Sequence, residues 1–300
     1  MTTAVVGVIG GSGLYQMDAL RNVRGHDVDT PYGKPSDPIV TGEVDGTPVA
    51  FLARHGRGHR LIPSEVPYRA NIYALRQMGV RYVLSFSAVG SLREEMHPLD
   101  FVLPDQFIDL TKRRDSPFFG CGAVAHVSMA QPVCSALSGV FAQAITGLGL
   151  NSQAQLHRGG TYVCIEGPQF SSMAESHWYR SMGASVIGMT NMPEAKLARE
   201  AQMAYATLAM VTDYDCWHPK EAHVTADAAI ANLMKNACHA QRIAAEAIRI
   251  IGRDKPLSFA HTALDGALVT PREAMAPEVL GRLGVLWGAP SRKLGADRAT

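Results

Sequence analysis

Thr212-Asp-Tyr-Asp-Cys-Trp217 sets two carboxylates two residues apart directly after the apolar run from Tyr205 to Val211. A run of that length reads as a buried strand, and open α/β sheets bind ligands at the carboxyl ends of their strands. Alternation along an extended chain sends Asp213 and Asp215 to the same side, so both can face one ligand. Two carboxylates on one small molecule suit the reading of amino and ring-nitrogen groups; the plain alternative is a pair of turn caps or solvated charges. Arg54-His55 follows another apolar run, Val49 to Ala53. An arginine fork beside an imidazole donor matches a tetrahedral oxyanion. The alternatives are a core-edge ion pair for Arg54 and a backbone-bonded loop histidine for His59. His55 and His59 are spaced like metal ligands, but the glycines between them disfavour a helix and no third ligand follows, so no metal is expected. Gly10-Gly-Ser-Gly13 fails the dinucleotide fingerprint, because Gln16 stands where the third glycine belongs, and it lacks the Gly-Lys-Ser/Thr of a P-loop. What remains is a tight turn whose backbone N–H groups and Ser12 hydroxyl suit a single phosphate. No Gly-x-Ser-x-Gly elbow or plausible Cys–His pair supports an acyl-enzyme mechanism.

These residues need a scaffold, and the sequence supplies an alternation of strand-like runs and helical patterns, the α/β signature. Strands are expected at Val5 to Ile9, Val49 to Ala53, Tyr82 to Ser87, Thr161 to Ile165, Val186 to Gly188 and Tyr205 to Val211, each ending in a loop of glycine, hydroxyl or charged residues. Ser64 is expected to cap a helix carrying Tyr68, Ile72 and Leu75 and stopping at Gly79. Pro193 suits the first turn of a helix reaching about Met203. A longer helix, from about Asp227 to Ile251, carries Ile230, Leu233, Met234, Ala237 and Ile248 at helical spacing and ends at Gly252. We read one domain over residues 1–283 and a tail at 284–300, rich in Gly, Pro, Arg and Ala, that is either disordered or packed on a partner subunit.

Composition narrows the function classes. The chain has 300 residues, 47% of them hydrophobic and 18% charged, with a formal net charge of +1. That is enough to bury one large core, and the scattered basic residues give no footprint for nucleic acid or an anionic membrane. No apolar stretch is long enough to span a bilayer, and the N-terminus lacks the pattern of a signal peptide. Five widely separated cysteines fit reduced thiols, so a cytoplasmic location is expected.

Seven segments, in order, carry a resemblance: Gly10-Gly-Ser-Gly-Leu14, Thr30-Pro-Tyr-Gly-Lys-Pro-Ser36, Ala53-Arg-His-Gly-Arg-Gly-His59, Gly90-Ser-Leu-Arg-Glu94, Asp105-Gln-Phe-Ile-Asp109, Ile165-Glu-Gly-Pro-Gln-Phe-Ser-Ser172 and Thr212-Asp-Tyr-Asp-Cys-Trp217. The set resembles the S-methyl-5'-thioadenosine phosphorylases of the trimeric purine nucleoside phosphorylase family and spans about residues 4 to 250. The resemblance implies a phosphorylase/hydrolase-like α/β sandwich with a mixed central sheet flanked by helices. It implies phosphate-dependent cleavage of methylthioadenosine to adenine and 5-methylthioribose 1-phosphate without a cofactor. By the same resemblance Ser12, Arg54, His55, Ser87 and Thr190 form the phosphate site. Met189 lies along the ribose, Phe170 lies against the base, and Ser171, Asp213 and Asp215 surround the purine edge. His126 matches a residue that relatives lend to a neighbouring subunit, which implies a homotrimer. Ala226 and Ala229 stand where relatives usually place valines around the 5'-methylthio group, with Ile230 in place of leucine; smaller side chains there imply tolerance of longer 5'-alkylthio groups.

The chemistry asks for the same groups. N-glycosidic cleavage develops positive charge on the ribose and negative charge on the purine, so a site must stabilise both. Asp213 beside purine N7 can hold or donate a proton, which at neutral pH requires burial or the Asp215 charge to lift its pKa well above the ordinary ~3.9. Three competing readings are a purine nucleoside or methylthioinosine phosphorylase preferring 6-oxopurines, a nucleoside hydrolase of similar fold, and a catalytically silent nucleotide-binding protein. The acidic pair and Ser171 argue against the first, a phosphate requirement separates the second, and the intact set of Ser12, Arg54, His55 and Asp213 argues against the third.

Overall fold

The structure, a computed structural model, describes residues 5–11, 14, 17–220 and 225–287, excluding the side chains of 226–230 and 233. Among the described residues eleven strands form one mixed sheet: β1 (Val6–Gly10), β2 (Arg21–His26), β3 (Ile39–Val44), β4 (Thr47–Ala53), β5 (Tyr82–Ser91), β6 (Phe101–Leu103), β7 (Gln106–Asp109), β8 (Leu156–Arg158), β9 (Thr161–Cys164), β10 (Ala184–Gly188) and β11 (Ala204–Asp213). The main path runs β2-β3-β4-β1-β5-β10-β9-β7, and β11 branches from β5 to carry β6 and β8. The β4, β1, β5 and β11 segments pair in parallel in turn, so their carboxyl ends open on the same side. β10 meets β5 antiparallel only at the far end of that strand.

Six α-helices among the described residues flank the sheet: α1 (Tyr68–Gln77), α2 (Ser135–Gly147), α3 (Met173–Ser181), α4 (Glu194–Glu200), α5 (Ala226–Asp254) and α6 (Pro277–Leu283). The period of two along the central strands divides the core between two faces. Val83 and Tyr205 pack with α1 and α4 residues such as Ile72 and Leu197. Leu84 and Ala206 pack on the opposite face with α2 and α5 residues such as Phe141 and Ile248. Ile243, Ala247, Ile248 and Ile251 of α5 have no solvent exposure. Each such isoleucine contributes about 1.5–3 kcal/mol by leaving water.

The six expected strands are all present, and the mixed sheet with flanking helices matches the expected class. Several local expectations differ. Ser64 lies in a single 3-10 turn, Pro63–Glu65, while α1 starts at Tyr68 behind Pro67; Pro67 breaks the chain between them. Gly79, with φ +95°, does stop α1. α4 ends at Glu200, short of Met203, because Met203-Ala204 leads into β11. Gly252 does not end α5, which continues to Asp254; a Cβ there would lie 1.9 Å from Thr47 Oγ1, so glycine serves close packing on β4. Met234 is 72% exposed and faces away from the core. Leu286, at the start of the expected tail, is fully buried and donates no edge to solvent; Gln202 Nε2 bonds its carbonyl at 3.0 Å. No helix among the described residues is long and apolar enough to cross a membrane.

Candidate active site

A cavity of about 510 Å³ opens at the carboxyl ends of β1, β4, β5, β10 and β11 and the loop after β9. Arg54, His55, Ser87, Phe170, Ser171, Met189, Thr190, Asp213 and Asp215 all line it. Arg54 and Asp215, far apart in sequence, meet because the parallel strands β4, β1, β5 and β11 deliver their carboxyl ends to one place, and β10, antiparallel to β5, brings Met189 and Thr190 there from the other direction. Ser12 lies outside the described residues, although its neighbours Gly11 and Leu14 line the cavity. The side chains of Ala226, Ala229 and Ile230 are likewise outside them. His126 is exposed, away from the cavity lining, and its backbone N–H bonds Ala267 O at 2.8 Å.

The two aspartates do converge, but not by strand alternation. A bulge at Thr212 shifts the β11 register so that Val211 pairs with Val89 and Asp213 with Gly90. Asp215 then adopts a left-handed backbone, φ +54°, beyond the strand. The peptide N–H of Asp215 donates to Asp213 Oδ1 at 2.8 Å, and the Thr212 hydroxyl donates to Asp213 Oδ2 at 2.7 Å. Gly90 is needed beside them, since a Cβ there would sit 2.9 Å from Asp213 Oδ1. Burial raises the Asp213 pKa to about 6, with the Asp215 charge adding to the rise and the two hydrogen bonds opposing it. Burial also raises Asp215, 4% exposed; the hydroxyls of Ser176 and Ser171 approach it without closing full hydrogen bonds and partly offset that rise. Each Asp213 oxygen keeps a second lone pair for a ligand donor.

Arg54 is more committed than an oxyanion fork would be. Its Nε and Nη2 grip Glu194 in a bidentate pair at 2.7 and 2.9 Å, Nη2 also donates to Ser85 Oγ at 2.8 Å, and Nη1 donates to Phe86 O at 3.0 Å. Of the five N–H donors of a guanidinium, one on Nη1 has no partner among the described residues. Glu194 in turn accepts from Ser85 Oγ and Tyr205 Oη, both at 2.8 Å. Burial works against the Arg54 charge, and the Glu194 carboxylate outweighs it, so its pKa rises. The guanidinium is thus both a buried ion pair and part of the cavity wall.

His55 donates Nδ1–H to Leu61 O at 2.9 Å, because a carbonyl can only accept. Burial first, and then the Arg54 charge, lower its pKa to about 4. At neutral pH the ring is therefore neutral and Nε2 is an acceptor, not the donor expected from sequence; it suits the P–OH of a hydrogenphosphate. His59 stacks on it with ring centroids 4.2 Å apart and also lines the cavity. Ser87 Oγ lies 3.2 Å from Thr190 Oγ1 and 3.3 Å from Tyr162 Oη. Tyr162, which fills the space left by Gly188, thus supports the Ser87 hydroxyl. No group of histidines, cysteines and carboxylates able to hold a metal occurs among the described residues.

Sequence reasoning passed over Glu194, Tyr162 and His59 as site-forming residues. Glu194 is 140 positions from Arg54, and nothing local marks it as that partner. A charged residue in the otherwise apolar helix face behind Pro193 was the available signal.

Parallel strands ending in one cavity lined by hydroxyls, a buried arginine and paired carboxylates define an α/β nucleoside-type phosphorylase scaffold, and residues 5–249 match the phosphorylase superfamily. The chain belongs to that superfamily. It is 54% identical to the S-methyl-5'-thioadenosine phosphorylase of Synechocystis sp. over 288 residues, covering 96% of this chain and 88% of the relative. The enzyme of the same name from Thermosynechococcus vestitus is 55% identical over 284 residues, 95% and 98% of the two chains. A crystal structure of a methylthioadenosine phosphorylase from an antarctic soil metagenomic library superposes with a TM-score of 0.92 at 62% identity, over 95% of this chain and 99% of that one. Methylthioadenosine phosphorylase from Schistosoma mansoni in complex with adenine gives a TM-score of 0.80 at 36% identity, over 90% and 99%.

Proposed function

We propose that this chain catalyses phosphorolysis of S-methyl-5'-thioadenosine to adenine and 5-methylthioribose 1-phosphate, as a pentosyltransferase without a cofactor. The observation that carries this reading is one cavity lined both by Arg54, His55, Ser87 and Thr190 and by Phe170, Ser171, Asp213 and Asp215. Its 510 Å³ falls in the range of small-molecule sites, about 300–1,000 Å³. In this reading hydrogenphosphate lies against the remaining Arg54 N–H and the Ser87 and Thr190 hydroxyls, and gives its P–OH to His55 Nε2; the Ser12 expected from sequence to join them lies outside the described residues. A phosphate oxygen forms the new bond to C1' as the bond from C1' to purine N9 breaks, and the electron pair leaves with the base. Asp213, its pKa raised to about 6, supplies or holds the proton at N7 as charge develops on the ring. Asp215 accepts from the exocyclic amino group, Phe170 stacks on the base and Met189 follows the ribose.

His126 is exposed and by resemblance matches a residue that relatives lend to a neighbour's 5' pocket, which supports a homotrimer with shared sites. Five free thiols, Cys121, Cys134, Cys164, Cys216 and Cys238, support a cytoplasmic location. The deciding assay measures base release from methylthioadenosine, methylthioinosine, adenosine and inosine, with and without phosphate. Turnover of methylthioadenosine that requires phosphate is expected. Preference for the two 6-oxo nucleosides, or turnover without phosphate, would overturn the reading.

A further inference from the structure

Arg114 does not line the cavity, yet it joins two of the loops that do. Its side chain is 1% exposed. Nη1 donates to the carbonyls of Met189 and Met192 at 2.6 Å each, and Nη2 donates to those of Glu166 and Ile165 at 2.8 and 3.3 Å. Nη1 also reaches Tyr68 Oη at 3.1 Å, and Nε pairs with Glu166 Oε1 at 3.0 Å. The other Glu166 oxygen accepts the peptide N–H groups of Lys112 and Arg113 at 2.6 and 2.9 Å, closing the bracket on the segment that carries Arg114.

The bonded carbonyls belong to the loop after β9, which carries Phe170 and Ser171, and the loop after β10, which carries Met189 and Thr190. The β9–β10 pairing ends with the Ile165 N–H on Gly188 O at 2.9 Å, and past that bond Arg114 bridges Ile165 and Glu166 of one loop to Met189 and Met192 of the other. A planar guanidinium with five donors can hold carbonyls from both loops at once, whereas an ammonium on a flexible stem cannot reproduce that fork. We propose that Arg114 is a positioning residue that sets the spacing between the base-side loop and the phosphate-side loop of the active site. This rests on the function proposed above and extends it: the two substrates are aligned through one buried cation that touches neither.

The test compares Arg114→Lys with Arg199→Lys. Arg199 is a fair control, since it is also buried and donates to two backbone carbonyls, Ser128 O and Gln131 O, both at 2.6 Å, away from the cavity lining. A merely structural role lowers the folded fraction, which scales kcat and leaves KM alone. Misplaced loops raise KM for the nucleoside and for phosphate together, and kcat/KM falls by about a hundredfold for a displacement near 1 Å. We expect that pattern for Arg114→Lys, with Arg199→Lys keeping the KM for phosphate at a matched melting temperature; phosphate is the substrate compared, because Ser128 lies two residues from His126. Unchanged KM values in Arg114→Lys, or the same rise of the phosphate KM in Arg199→Lys, would overturn the proposal. If Arg114→Lys does not fold, Glu166→Gln decides: it loosens the bracket and is expected to raise both KM values in the same direction, and unchanged values overturn the proposal. The nucleoside used is whichever the wild type turns over in the four-nucleoside assay, so an error in substrate assignment leaves this test intact.

Discussion

Arg54→Ala tests two roles of one guanidinium, and the structure separates their magnitudes. Arg54 and Glu194 are each 2% exposed and joined at 2.7 Å. Without the arginine, Glu194 keeps, among the described residues, the Ser85 and Tyr205 hydroxyls as donors. Breaking a buried pair from one side costs about 3–5 kcal/mol, because the remaining charge is left uncompensated. At roughly 2–4 °C per kcal/mol for a chain of this size, the melting temperature should fall by on the order of 10 °C. Glu194→Gln in the same background removes the stranded charge and should recover most of that loss. Phosphate use should not recover, since the charge-assisted donor is still missing; its loss is about 1.5–3 kcal/mol, tenfold to a hundredfold in kcat/KM for phosphate. The assay is thermal melting with steady-state kinetics at varied phosphate for the wild type, both single variants and the double variant. Equal melting of Arg54→Ala and the double variant would refute the buried-charge argument. Phosphate kinetics that return along with stability would remove Arg54 from the phosphate pocket.

Asp213→Asn should depress turnover of 6-amino nucleosides and shift relative preference toward 6-oxo ones, because an amide can donate where a carboxylate only accepts; equal losses on both, measured as kcat/KM ratios, would argue against base reading. The raised Asp213 pKa also makes a stability statement. The group binds its proton more tightly when folded, so its contribution is full below the unfolded value of 3.8 and is lost as pH rises through about 6. Two units correspond to ~3 kcal/mol. Denaturant unfolding of wild type and Asp213→Asn should therefore show the variant gaining relative stability between pH 4 and pH 8, and a pH-independent difference would contradict it. If protonated Asp213 is the proton donor, kcat/KM of the wild type should decline above about pH 6, and a flat profile from pH 5 to 8 would count against that role. Gly252→Ala should destabilise the fold by about 1–3 kcal/mol despite the better helix propensity of alanine, because the new methyl group meets Thr47 Oγ1 at 1.9 Å; a higher melting temperature would show that α5 can shift away from β4.

The legible part of this protein was local. Buried apolar runs followed by glycine, hydroxyl and charged residues marked six strands and the loops at their carboxyl ends, and those loops supply the cavity wall. Antiparallel strands β2 and β3, short strands β6 to β8, and helices α2, α3 and α6 were not anticipated. Arg21–His26 is almost wholly exposed and Leu156–Arg158 is three residues long, so neither shows an apolar pattern.

What only the tertiary structure decided depends on partners distant in sequence. The sequence by itself determined that Asp213, Asp215, Arg54 and His55 sit at strand ends, because strand period and hydrophobic pattern are carried by adjacent residues. It did not determine that a bulge at Thr212 and a left-handed Asp215 make the carboxylates converge, since a bulge exists only relative to the neighbouring strand β5. Nor did it determine that Glu194 occupies most of the Arg54 fork from 140 residues away, or that Leu61 O turns His55 Nε2 into an acceptor. Gly252 shows the same limit from the other side: glycine after a helical run is a stop signal by local rules, and here it is a packing contact, because the space that decides it belongs to Thr47. Propensity is set by the chain near a residue, while hydrogen-bond partners, burial and pKa are set by whatever the fold brings against it.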